Sequence, residues 1–139
     1  MNLELREKSK KKNIKRFFHS FKNSYDGLSY AYRYEQSMTI HFLSCVIVLL
    51  LGWFLKIHIY EWIICVFALT LIAGVELINT AIEATVDLVT EEIHPLAKIA
   101  KDTASASVGL FSVMAFVTFC IIFLPKLAAL VDILAILPR

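Results

Sequence analysis

The stretch GVELINTAIEATVDL, residues 74–88, sets three acids, Glu76, Glu83 and Asp87, on or just beyond an apolar helix. An ionised carboxylate at mid-bilayer costs about 2.5–3.5 kcal/mol on insertion scales. Such a burden implies that the acids are sheltered. At roughly 100° per residue, Glu76, Asn79, Thr80, Glu83 and Asp87 fall on one stripe, with Ala81, Thr85 and Leu88 opposite. This seam is expected to face a helix bundle or a polar cleft, not lipid.

Composition agrees. The chain has 139 residues, one domain by default, and is 58% hydrophobic. Its mean hydropathy is +0.68, too apolar for an ordinary soluble domain, and it reads as integral membrane. Residues 1–35 carry nine Lys/Arg and four Asp/Glu, and the rest carries five and eight. A basic arm ahead of the apolar segments suits an anionic membrane surface. Nucleic acid is the poorer partner and is not expected, since the apolar bulk follows at once. The first long apolar run starts near Ile40, too deep for a secretory signal. Cys45, Cys65 and Cys120 all lie in apolar segments without zinc spacing, and read as small hydrophobes.

Outward from the seam, the pattern predicts an all-α membrane protein. Residues 1–13 form a basic flexible arm. Over 14–34, Phe17, Phe18, Phe21, Tyr25, Leu28 and Tyr32 keep helical spacing. That is an amphipathic helix suited to the membrane interface or to packing on the protein's own core. Membrane helices are expected over 38–56, 60–89 and 103–124, with an amphipathic tail at 125–139 and Pro125 as the stop. Trp53, Tyr60 and Trp62 flank the first link as interfacial aromatics do. The arm together with Lys98 and Lys101 outweighs Lys56, Lys126 and Arg139. The positive-inside bias therefore predicts a cytoplasmic N-terminus and a cytoplasmic second loop. Glu35, the lower seam, Lys101 and Asp102 then reach one depth. Ser105, Gly109 and Ser112 allow close helix approach on the last span.

Clustered carboxylates at such a depth have three uses. They hold Mg²⁺ on a nucleotide, relay protons or bind a transported cation, or form a satisfied structural network. Neighbouring His94, Lys98 and Lys101 favour a phosphate ligand over a bare cation. No GxxxxGK[ST] or GxGxxG loop is present; Gly27, Gly52, Gly74 and Gly109 are scattered.

ELINTAIEATVDL followed by HPLAKIAKD resembles the signature of the prokaryotic diacylglycerol kinase family, over roughly residues 14–125. His94-Pro95-Leu96-Ala97-Lys98 and the IIFLPKL ending look like its Gram-positive undecaprenol kinase branch. The resemblance implies a homotrimeric bundle, each chain with three transmembrane helices and an N-terminal surface helix. It implies a lipid alcohol and MgATP as substrates, Mg²⁺ as cofactor, membrane lipids as surroundings and a site at the cytoplasmic face of the cell membrane. It casts Glu76 as general base on the lipid hydroxyl and Glu35 and Glu83 as ligands of the metal of MgATP. Asn79 and Asp87 shape the site. Arg16, Glu92, His94, Lys101 and Asp102 contact the nucleotide, and Ser105 lines the path of the lipid. Gln36-Ser37 stands where the family often has Arg-Asn, and Thr39 and Asp26 depart as well. These departures bear on contacts from the surface helix, Arg16 first among them. Undecaprenol and diacylglycerol both offer a primary alcohol, so either acceptor fits. A proton- or ion-conducting oligomer is the alternative of another class.

Overall fold

In a computed structural model, residues 14–90, 92 and 94–136 are described. The basic arm 1–13, Glu91, Ile93 and residues 137–139 lie outside the described residues. Four helices and no strand occur among the described residues: α1 (Ile14–Tyr34), α2 (Gln36–Phe54), α3 (Ile59–Val89) and α4 (Pro95–Ile136). The chain divides into two units, Met1–Tyr34 and Glu35–Arg139.

In the first unit, α1 is one uninterrupted helix whose aromatic residues stack along it. Phe17 and Phe21 meet edge to face with centroids 4.9 Å apart. Tyr30 and Tyr34 approach to 4.6 Å.

The second unit is a bundle of three long apolar helices. Glu35 begins it in an extended conformation, φ −102° and ψ 114°, and this separates α1 from α2. At 1.5 Å per residue the 19 residues of α2 span about 28 Å, close to the ~30 Å hydrocarbon core. The 42 residues of α4 run about 63 Å, about twice the thickness of that core. Here the structure differs from the sequence expectation of a span over 103–124 and a separate tail. Pro95 opens α4 at a first-turn position, where its missing N–H is not needed. Pro125 lies inside the helix. One lost backbone bond is outweighed by the packing of Ile122, Phe123 and Leu127 around it.

That packing is the apolar core. Val48, Ile57, Cys65, Ile122 and Phe123 are buried together, with Leu51, Trp62, Leu69 and Phe119 against them. The α2–α3 turn closes it. Ile57 N–H donates to Gly52 C=O at 3.1 Å and Lys56 N–H to Trp53 C=O at 3.3 Å, with Lys56 left-handed at φ 49°. This is a Schellman ending with Lys where glycine is usual. Trp62 lies so close to Gly52 that a Cβ there would meet its ring at 2.7 Å. Trp62 therefore packs inward, and only Trp53 and Tyr60 stay exposed as expected of belt residues. Glu61 accepts from His58 N–H at 2.6 Å as a capping box and pairs with Lys126 at 3.1 Å.

Each helix has one inward stripe. On α3 it changes character along its length. Cys65 and Ile72 give way to Glu76, Asn79 and Thr80, all buried. The apolar core thus ends where the polar seam begins.

Candidate active site

Glu76 is the most buried polar residue described, at 2% exposure. Its side chain is clasped from α2. Ser37 Oγ donates to Glu76 Oε1, and His41 Nε2 lies 3.9 Å from Oε2. Ser37 and His41 are one helical turn apart, so both sit on the inward stripe of α2. Thr80 Oγ1 donates to the Glu76 carbonyl at 3.1 Å, which ties that side chain to its own helix.

One turn along, Asn79 Nδ2 donates to Glu83 Oε1 at 3.1 Å. Glu83 is half-buried and Asp87 exposed, so the seam passes from a dry to a wet setting over three turns. Glu35 stands at the head of α2. Partial burial and the charges of Glu83 and Glu76 hold its carboxyl above the usual carboxylate value. Three mutually repelling acids are therefore gathered here: Glu76 deep, Glu83 and Glu35 nearer the helix ends. Across the α3–α4 contact, Lys101 Nζ donates to Asp87 Oδ1 at 2.5 Å.

Among the described residues, Glu76 Oε2, His41 Nε2 and Asn79 Oδ1 are buried without a hydrogen-bond partner. A buried unmet group costs about 1–3 kcal/mol. Three such groups gathered at the acids single this spot out as a candidate site.

Of the residues singled out in the sequence, Glu35, Glu76, Asn79 and Glu83 come together, and Asp87 joins Lys101. Asp102 is exposed and bridged to Lys98 one turn back on α4. Ser105 is exposed, while its neighbour Ala104 faces inward. Glu92 and His94 lie in the α3–α4 link. Glu92 N–H donates to Thr90 Oγ1 at 3.1 Å, and His94 Nδ1 accepts from Leu96 N–H at 3.2 Å as a helix cap. His94 also lines a cavity of about 410 Å³ with Thr85, Val89 and Leu96. Arg16 belongs to the first unit and is exposed. The sequence names Ser37 only as a departure from the family pattern and reads His41 as an interfacial or packed histidine, so neither is expected at the site. The signal is their i, i+4 spacing, which shows once the helix starts at Gln36 and takes in Ser37.

No group of three His, Cys, Asp or Glu among the described residues is arranged to hold a metal unaided. Mg²⁺ does not require one, since it takes one or two carboxylates with phosphate oxygens and water. Glu35 and Glu83, each half-buried and electrostatically coupled, fit that donor set.

Comparison with known proteins adds to this geometry. A family profile described as prokaryotic diacylglycerol kinase matches residues 22–123. The chain is 39% identical over 120 residues to an undecaprenol kinase of Bacillus subtilis, covering 86% of this chain and 98% of the relative. It is 38% identical to a diacylglycerol kinase of Helicobacter pylori, covering 70% and 77%. Against a diacylglycerol kinase of Escherichia coli the identity is 29%, covering 71% and 81%.

Proposed function

The chain belongs to the prokaryotic diacylglycerol kinase family, and on that premise we propose that it transfers the γ-phosphoryl group of ATP to undecaprenol. It is a multi-pass membrane lipid kinase. The observation that carries the assignment of the base is the Glu76 carboxylate, buried, with one oxygen occupied by Ser37 and the other open.

Phosphoryl transfer needs positioning, charge neutralisation and an oriented nucleophile. Glu76 Oε2 takes the proton of the lipid hydroxyl as the new O–P bond forms and the bond from the γ-phosphorus to the ADP oxygen breaks. Glu35 and Glu83 hold Mg²⁺, which when bound neutralises phosphate charge. Asn79 orients Glu83. Asp87 holds Lys101 ready for phosphate oxygens. Roles for Arg16, Glu92, His94 and Asp102 at the nucleotide, and for Ser105 beside the lipid, rest on the family resemblance. A lipid alcohol reaches Glu76 from the bilayer while ATP arrives from water, so the boundary joins two immiscible substrates.

The reading puts this end of the bundle in the cytoplasm. Lys126 pairs with Glu61 at the α2–α3 end, opposite Lys98 and Lys101, which keeps the charge bias intact. It also includes a homotrimer. Ser105 and Gly109, on the open face of α4, leave room for another helix to approach.

Phosphate transfer from labelled ATP in Mg²⁺-containing mixed micelles tests the proposal, with undecaprenol and diacylglycerol offered in parallel and Glu76→Gln as control. Glu76-dependent labelling of undecaprenol is expected. Preferential labelling of diacylglycerol would keep the mechanism and change the acceptor, a reading favoured by the diacylglycerol kinases among the relatives. Labelling of neither would overturn both.

A further inference from the structure

His41 Nε2 and Glu76 Oε2 face each other 3.9 Å apart, and both are buried without a partner. The distance is too long for a direct hydrogen bond and too short for two ordinary bonds in line. An oxygen set to one side, about 2.8 Å from each atom, would make an angle of about 90° between them and satisfy both. Ser37 already holds the other Glu76 oxygen, so the carboxylate is turned to keep Oε2 towards His41.

His41 also lines an apolar groove of about 200 Å³, together with Ile40, Ser44, Ile72, Ala115 and Phe119. That is below the roughly 300–1,000 Å³ of pockets for whole drug-sized ligands, and suits a short stretch of hydrocarbon. A groove for chain thus includes in its wall the imidazole that faces the open Glu76 oxygen. Within hydrogen-bonding chemistry that combination describes a long-chain alcohol.

We propose that His41 is a substrate-binding residue of the kinase: its Nε2–H donates to the oxygen of the acceptor hydroxyl, whose proton points at Glu76 Oε2, with the adjoining carbons in the groove. This rests on the function proposed above. The hydroxyl donates to the base and accepts from His41, so a lone pair remains for the attack on phosphorus. As the proton passes to Glu76, the Nε2–H keeps the alcohol oxygen positioned beside the base with its free lone pair available to phosphorus. Ser37 is a positioning residue, acting only through Glu76. The titratable groups facing His41 from the packed helices are Glu76 and, beyond it, Glu35 and Glu83; the α4 residues of the groove carry none.

The test compares His41→Leu and His41→Gln with the natural chain, reading kcat and KM for undecaprenol and for ATP, and the rise in melting temperature on adding undecaprenol without ATP. His41→Leu is expected to lose about 10²-fold in kcat/KM for the lipid, the order of a misplaced reacting group, with KM for ATP unchanged and the lipid-induced stabilisation gone. His41→Gln, which retains an N–H donor, is expected to recover part of each. If His41→Leu does not fold, His41→Met takes its place against His41→Gln. Equal lipid kinetics in the donor-bearing and donor-free variants, or equal loss for lipid and ATP, would overturn the inference. Should the natural chain phosphorylate no lipid, the underlying kinase assignment fails instead; should Glu76→Gln remain fully active, the assignment of Glu76 as base fails.

Discussion

The hydroxyl of Ser37 donates to the carboxylate of Glu76, two residues 39 positions apart that belong to different membrane helices. This bond fixes the rotamer of the buried acid and selects which oxygen stays free. Ser37→Ala should lower kcat about tenfold, the order of one hydrogen bond to a charged group. KM for ATP should hold. A variant with unchanged kcat would show that Glu76 is oriented by packing alone.

Glu76→Gln should reduce lipid phosphorylation by about 10²–10⁴-fold, the usual worth of a positioned base. Nucleotide binding should survive, because Glu35 and Glu83 remain. Calorimetric titration with MgATP beside the rate assay separates the two effects.

Glu35 supplies a prediction with a definite sign. Burial and the charges of Glu83 and Glu76 raise its carboxyl above the ordinary value of 4.5. The folded state then holds its proton more tightly than the unfolded state. Stability from this group is lost as pH rises from about 4.5 through the raised value. Glu35→Gln should therefore melt higher than the natural chain at neutral pH without Mg²⁺, and lose that advantage in acid. Mg²⁺ with nucleotide should stabilise the natural chain more than the variant. Melting curves at pH 4 and pH 7, with and without MgATP, read both effects.

Asp87→Ala frees Lys101 from its bridge at 2.5 Å. Both partners are substantially exposed, so melting should barely move. KM for ATP should rise several-fold, and more steeply with added salt, as the ammonium loses the partner that aims it.

At the far end, Gly52→Ala would press a methyl group to within 2.7 Å of the Trp62 ring. A loss of about 1–3 kcal/mol is expected from overpacking at this turn. Denaturation in detergent checks it. Activity of the surviving folded fraction should be normal, since the turn and Glu76 lie at different levels of the bundle.

Periodicity and composition alone established the all-α membrane class, the three spans and the acidic stripe. Apolar run length and helical period are local properties, and a carboxylate in an apolar helix needs explaining wherever the chain folds. The order Glu76, Glu83, Asp87 from dry to wet was legible for the same reason. The sequence could not reveal which residues of α2 face Glu76. The helix begins at Gln36, two residues before the expected start, so it takes in Ser37 one turn ahead of His41, and packing against α3 turns both inward. Nor could it tell that α4 continues through Pro125, because the neighbouring core contacts that offset a broken backbone bond come from other helices. Local sequence marks Trp62 as an interfacial anchor, whereas the bare Gly52 on the neighbouring helix gives it a place to pack. Tertiary structure decided these points because each depends on a residue distant in sequence: a hydroxyl, an imidazole or a missing side chain on the next helix, set by crossing geometry that no local pattern encodes.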